Sequence, residues 1–145
     1  MGSLNIIYKV RILEIQDREA LIMAVRRFAA LIGIVFVLLG IIGFINPHAF
    51  GQFHLDTTHN VIHLVVGLLG LLAASGEGYA FRFSQAVGIL YMLMAVLGFF
   101  TKDLFGLMHV GLSDNVLHFI VGAIALYFGY VLVDDEQPAR SPKVY

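Results

Sequence analysis

The sequence predicts an all-α integral membrane protein with four transmembrane helices, built from two tandem two-helix repeats. Three observations support this fold class. The chain is 59% hydrophobic with a mean hydropathy of +0.87 and only 13% charged residues, against about 25% in soluble domains. Four apolar segments approach the length of about 20 residues that a bilayer-spanning helix needs. The chain also aligns with itself at an offset of 55 residues. We therefore expect the protein to lie in the lipid bilayer.

Residues that end helices or form turns define the limits of the predicted spans. Asn46-Pro47 ends the first apolar run, because the residue before a proline is disfavoured in a helix. A turn at Gly76-Glu77-Gly78 separates the second span from the third. The four predicted spans cover residues 28–45, 57–75, 83–100 and 113–133. Residues 1–26 are expected to form a cytoplasmic or interfacial arm with a helix start at Asp17, and residues 134–145 a cytoplasmic tail.

The internal repeat pairs residues 27–75 with residues 82–133. Sliding the chain by 55 positions produces 16 identities over the 49 positions 27–75 without a gap. Glycines, asparagines and histidines are among the matches, which shared apolar composition alone does not produce. Both copies hold an even number of spans and enter the membrane in the same direction. We therefore expect a pseudo-two-fold axis along the membrane normal.

The basic residues predict the orientation of the spans. Eight of the nine lysines and arginines fall on one side of a four-span arrangement, and only Lys102 falls on the other. Cytoplasmic loops carry the excess of lysine and arginine. Both termini are therefore expected in the cytoplasm, with the loops near residues 46–56 and 101–112 on the outer side. The expected location is a bacterial inner or internal membrane.

A doubled motif is the feature most indicative of function. The pattern Asn-x-x-His-x-x-x-Gly occurs in THNVIHLVVG at residues 58–67 and in SDNVLHFIVG at residues 113–122. Residues three or four apart share one face of a helix. Asn60, His63 and Gly67 therefore lie on one face of the second span, and the second copy repeats this arrangement.

These motifs resemble a bacterial four-span membrane family that is known only as a domain of unknown function. The resemblance rests on Gly33, Gly43-Phe44 and the two histidine motifs, and covers about residues 25–133. It implies the four-span architecture and no particular activity.

The first functional hypothesis is structural. Asn60 would hydrogen-bond His118 across the repeats, and Asn115 would reciprocate with His63, each bond contributing about 0.6–2 kcal/mol. Thr57 or Thr58 and Ser113 would cap the helices. The protein would then be a non-enzymatic structural or accessory subunit of a membrane complex, with the bilayer and other membrane subunits as partners.

The second hypothesis is that His63 and His118 hold a cofactor or metal, with Asn60 and Asn115 beside it. Two imidazoles suffice for a b-type haem, and one for a pigment, although Phe53 and Phe119 are the only aromatic candidates near them in sequence. A divalent metal such as zinc or copper accepts histidine and carboxylate ligands. The residue types that fit such a metal are His54, His59, His63, His109, Asp114 and His118.

Other classes are disfavoured by what the sequence lacks. Without cysteine there are no disulfides, thiolate metal ligands or covalent c-type haem. The net charge of −1 and the absence of a basic stripe argue against nucleic acid as a partner. No nucleophile–base constellation or phosphate-binding glycine loop indicates an enzyme. Small-solute transport by an oligomer remains a third hypothesis, because parallel repeats occur in carriers.

Overall fold

The described residues form four helices and one short β-ribbon in a loop. The computed structural model describes residues 2–47, 51, 56–104, 106 and 108–131. The helices are α1 (Gly2–Ile45), α2 (Thr57–Ala73), α3 (Glu77–Phe100) and α4 (Leu112–Leu126), and α4 continues as a π-helical segment, Tyr127–Val131.

Helix α1 is a single helix of 44 residues, about 66 Å long at 1.5 Å per residue. The helix start predicted at Asp17 is therefore wrong. No proline and no internal glycine interrupts the chain between Gly2 and Gly33, so the acidic residues at 17 and 19 lie within the helix. The helix ends at Ile45, where Pro47 prevents its continuation, and the backbone N–H of Asn46 still donates to the carbonyl of Ile42.

Within the described ranges, three helices are long and apolar enough to cross a membrane by length and composition. These segments are Ile6–Ile45, Gly78–Phe100 and Leu112–Tyr130, and the apolar helix Thr57–Ala73 is shorter. Large apolar side chains cover the outside of these helices, with Leu72 68% and Phe99 65% exposed. Exposed apolar surface on this scale is stable against lipid rather than water. The fold is therefore that of a membrane protein.

Glycines bring the helices of each hairpin into close contact. A Cβ atom on Gly33 of α1 would lie 2.7 Å from the backbone N of Leu71, and one on Gly67 of α2 would lie 2.6 Å from the backbone N of Val37. In the second hairpin, a Cβ atom on Gly122 of α4 would lie 2.8 Å from the backbone N of Met92. The α1–α2 and α3–α4 pairs thus approach backbone to backbone, as small residues allow in membrane helices.

The two hairpins meet along a buried aromatic core. Phe36 of α1 stacks on Tyr91 of α3 with ring centroids 5.3 Å apart, and both side chains are 1% exposed. Phe28 of α1 also stacks on Phe128 of the π-helical segment, with ring centroids 4.7 Å apart. These contacts position the faces of α2 and α4 that carry the histidines.

The loop between α3 and α4 contains an antiparallel ribbon that the sequence did not predict. Strand β1 (Asp103–Leu104) pairs with β2 (Met108–His109), with Asp103 opposite His109. Gly106 has a φ of 68°, which glycine adopts without the steric cost of a side chain. Leu104, Met108 and Val110 are buried in a small cluster that packs on the helix ends. This cluster covers the end of the bundle where α2 and α4 begin.

Candidate functional site

Three histidines converge in the interior of the bundle. His59 and His63 lie on α2 and His118 on α4, and their side chains are 1%, 3% and 2% exposed. One ring nitrogen from each histidine lies within 4.8 Å of those from the other two. The ring centroids of His59 and His63 are 4.4 Å apart, and those of His59 and His118 are 5.9 Å apart. We refer to His59, His63 and His118 as the histidine cluster.

The helix starts place His59 in the first turn of α2, and His63 and His118 in the second turns of α2 and α4. Asp56 is the N-cap of α2, and its Oδ1 accepts a hydrogen bond from the backbone N–H of His59 at 2.8 Å. The other carboxylate oxygen of Asp56 accepts from the backbone N–H of His109 at 3.2 Å, which ties the ribbon to α2. The predicted cap at Thr57 or Thr58 is therefore wrong, because the preceding aspartate performs this role.

Helix α4 begins differently. Its N-cap is Gly111, not the predicted Ser113. Asp114, in the first turn, accepts a hydrogen bond from the backbone N–H of Gly111 at 2.8 Å and is 2% exposed. Asp114 and His118 are four residues apart and so lie on the same face of α4. A buried carboxyl group thus lies one turn from the cluster's third histidine.

Two aromatic rings enclose the cluster. Phe36 stacks on His63 with centroids 5.1 Å apart, and Tyr91 meets His118 edge-on at 5.1 Å. The sequence had pointed instead to Phe53, which lies outside the described residues, and to Phe119, which is 52% exposed. Phe36 and Tyr91 are 55 residues apart, which is the offset of the internal repeat. This correspondence is the sequence signal that could have identified the two rings.

The asparagines of the doubled motif pack within their own hairpins. Asn60 contacts Gly43 of α1, and Asn115 contacts Gly98 of α3, so closely that neither glycine has room for a Cβ atom. Asn115 Oδ1 and His63 Nδ1 each lack a hydrogen-bond partner among the described residues. The Asn115–His63 hydrogen bond of the clamp hypothesis is therefore not made between these atoms.

The other predicted metal ligands do not join the cluster. His54 lies outside the described residues. His109 is exposed on β2. Asp114 is buried nearby, but the ligand atoms that lie close together within the described part of the chain belong to the three histidines alone.

The chemical character of the cluster is that of a ligand set. His63 Nδ1 and His118 Nδ1 are buried and have no hydrogen-bond partner in the described ranges. Leaving a buried polar atom unsatisfied costs about 1–3 kcal/mol. Neutral imidazole is also the commonest protein ligand of transition metals. Bringing three imidazoles together in an apolar interior is therefore costly for packing alone and well suited to a bound cation.

The fold and the cluster define a helical membrane protein with a buried, histidine-rich centre. This chain belongs to the family described as a domain of unknown function, DUF4383, which matches residues 26–131. The resemblance to a domain of unknown function is thereby confirmed, and the matched region contains all three histidines of the cluster. No curated protein and no solved structure matches the chain significantly.

Proposed function

We propose that this protein binds a transition-metal ion between its two hairpins through His59, His63 and His118. The observation that carries the proposal is the convergence of three buried ring nitrogens within 4.8 Å of one another. Polar groups inside a membrane bundle are costly and are retained mainly where they have a function. Two helices from different hairpins supply the ligands, so a bound ion would also hold the two hairpins together.

The spacing of the nitrogens fits one ion. Tetrahedral coordination at about 2.0–2.1 Å places ligand nitrogens about 3.4 Å apart. The three nitrogens lie within 4.8 Å of one another, a spacing from which small rotations of the imidazole rings reach that geometry. Zinc, copper, nickel and iron all accept imidazole ligands.

A single ion fits this centre better than a haem or a pigment. In a bis-histidine haem the macrocycle lies between the two axial imidazoles. Here His59 lies 4.4 Å from His63 and 5.9 Å from His118, ring to ring, and Phe36 and Tyr91 pack against the other faces. A macrocycle would have to displace several of these side chains.

The proposed architecture is a duplicated hairpin with a pseudo-two-fold axis along the membrane normal. Equivalent positions make equivalent contacts in the two hairpins. Gly43 contacts Asn60 as Gly98 contacts Asn115, and Gly51 and Gly106 share positive φ angles of 62° and 68°. His59 breaks the pattern, because its counterpart is Asp114.

The proposed topology has four spans with both termini in the cytoplasm of a bacterial cell. The support is the placement of eight of the nine lysines and arginines on one side. The histidine cluster then lies near the outer side, where α2 and α4 begin. An ion would reach it from outside the cell through the loop region rather than across the full membrane.

The role as a non-enzymatic accessory subunit stays a prediction. A metal-binding centre is compatible with that role, and partner subunits would contact the exposed apolar faces of the helices. Solute transport by an oligomer also stays a prediction, for which the described residues provide no separate observation.

Metal analysis and an absorption spectrum of protein purified gently in mild detergent test the proposal. We expect about one metal ion per chain, lost in His63→Ala and His118→Ala, and retained in the matched control His109→Ala, which changes an exposed histidine. An intense Soret band would identify a haem instead. Metal-free protein that does not take up zinc or copper from solution would refute the proposal.

A further inference from the structure

We infer that the ion held by the histidine cluster is monovalent copper, Cu⁺. This inference rests on the proposed function and specifies the ion. Two observations carry it: the charge buried around the cluster and the number of ligands that the cluster supplies.

The buried charge matches one positive charge. Three neutral imidazoles carry no net charge, and Asp114 is the only buried carboxyl group among the described residues. The cost of moving an ion from water into an apolar interior rises with the square of its charge. A carboxylate at Asp114 would balance Cu⁺ and leave one uncompensated positive charge beside Zn²⁺ or Cu²⁺.

Asp114 lies at the N-terminal end of a helix, beside the histidine cluster. It lies in the first turn of α4 and accepts a hydrogen bond from the backbone N–H of Gly111 at 2.8 Å. Anionic side chains are stabilised at helix N-termini by the helix dipole. Its position four residues before His118 places the carboxyl group on the helix face that carries the cluster. Asp114 therefore acts as a charge partner of the ion while the histidines act as its ligands.

The number of ligands points the same way. Zinc sites in proteins are four-coordinate, with three protein ligands and an accessible water where the fourth protein ligand is missing. Among the described residues, three ring nitrogens come together, all from side chains no more than 3% exposed. Cu⁺ is stable with three nitrogen ligands and needs no water. Phe36 and Tyr91, which pack on two of the rings, favour such a dry, three-coordinate site.

Metal competition tests the inference. The intact protein in detergent is titrated anaerobically, under reducing conditions, with Cu⁺ presented as its bicinchoninate complex, and separately with Zn²⁺ presented with a chromophoric chelator. We expect transfer of one Cu⁺ per chain and binding of Zn²⁺ that is weaker by at least a factor of about 100. Tighter binding of Zn²⁺ than of Cu⁺ would overturn the inference and leave the proposed metal site intact. Failure to bind either ion would overturn both.

The charge argument is tested by Asp114→Asn, because asparagine still accepts the hydrogen bond from Gly111 and only the charge is removed. We expect the affinity for Cu⁺ to fall about 10–100-fold, as is typical when an outer partner of a metal site is lost. Asp103→Asn, which changes an exposed carboxyl group, is the matched control and should bind as the unaltered protein does. Equal Cu⁺ affinities in the two variants would overturn the role of Asp114. Circular dichroism and gel filtration of each variant verify that the bundle is folded.

Oxidation state provides an independent measurement. Copper-loaded protein kept under argon should give no electron paramagnetic resonance signal, because Cu⁺ has a filled d shell. Its copper content, measured on the same sample, should be close to one per chain. A strong Cu²⁺ signal with nitrogen hyperfine structure that persists under reducing conditions would overturn the inference.

Discussion

Asn60 and Asn115 show how single residues set the distance between neighbouring helices. Each amide lies directly over a glycine of the adjacent helix, Gly43 for Asn60 and Gly98 for Asn115. The two amides are buried, at 2% and 3% exposed. A small residue opposite each asparagine is therefore required for the hairpins to close beside the histidine cluster.

Gly43→Ala and Gly98→Ala should each destabilise the bundle by about 1–3 kcal/mol, because the added methyl group overlaps the asparagine amide. The matched control is Gly78→Ala in the first turn of α3, where a Cβ atom meets nothing within 4 Å. That change should be neutral or stabilising by up to about 1 kcal/mol. Thermal unfolding in detergent, followed by circular dichroism, measures the difference. Equal melting temperatures for Gly43→Ala and Gly78→Ala would contradict the proposed contact.

The sequence predicts part of the candidate site. His63 and His118 stand out because the same motif recurs 55 residues apart. His59 was predicted only as one of six residues whose types fit a metal, since it corresponds to Asp114 and repetition gives no reason to prefer it. Its participation follows from the crossing of α2 and α4, which brings the His59 ring near His118. Long-range geometry of this kind is not encoded in local spacing.

At the scale of helices, the end of α2 is stabilised by a residue from α1. The Nε of Arg26 donates to the carbonyl of Ala74 at 2.8 Å, and its Nη2 donates to that of Ser75 at 3.4 Å. The last carbonyls of a helix have no partner within the helix, and a cation is favourable near them. Arg26 therefore joins the two helices of the first hairpin at the end opposite the histidine cluster.

Arg26→Ala should lower the free energy of unfolding by about 1–2 kcal/mol through loss of these charge-assisted hydrogen bonds. Arg27→Ala is the control, because Arg27 is exposed on the same helix and its loss should change stability by less than about 0.5 kcal/mol. Chemical denaturation in mixed micelles compares the two variants. An equal effect of both would show that Arg26 does not cap α2.

Element boundaries were predictable where a local signal defines them. Pro47 ends α1 at Ile45, and Gly76 is the N-cap of α3, although Glu77 and Gly78, predicted in the turn, are the first residues of that helix. The predicted start of α1 was wrong because acidic residues such as those at 17 and 19 are typical of the first turn of a helix. No local signal indicates that the helix begins upstream of them. The β-ribbon was missed because strands of two residues carry no periodic pattern.

For the whole molecule, the prediction is a four-span topology with one strongly basic side. It can be tested directly, because the protein contains no cysteine and any cysteine introduced is a unique reporter. Asp103 in the ribbon and Gly78 at the start of α3 are both exposed. They lie at opposite ends of α3, which the proposed topology places on opposite sides of the membrane.

A membrane-impermeant maleimide should label Asp103→Cys in intact cells, whereas Gly78→Cys should become labelled only after the cells are opened. The reason is the positive-inside distribution, with Arg82 following Gly78 on the cytoplasmic side. Labelling of cysteines introduced at the termini also tests whether α2 crosses the membrane, because its 17 residues make it the shortest proposed span. Labelling of both positions from outside would contradict the topology.

X-ray absorption at the metal edge is the measurement that tests the account's central claim most directly, since it counts the ligands of the bound ion. With the metal-loaded protein we predict three imidazole nitrogens at about 2.0 Å, falling to two in His59→Ala while the His109→Ala spectrum stays unchanged. Because His59 has no counterpart histidine in the second repeat, its loss separates a three-histidine centre from a simple His63–His118 pair. A spectrum without imidazole scattering, or one that does not change in His59→Ala, would contradict the claim that these three residues form one metal site.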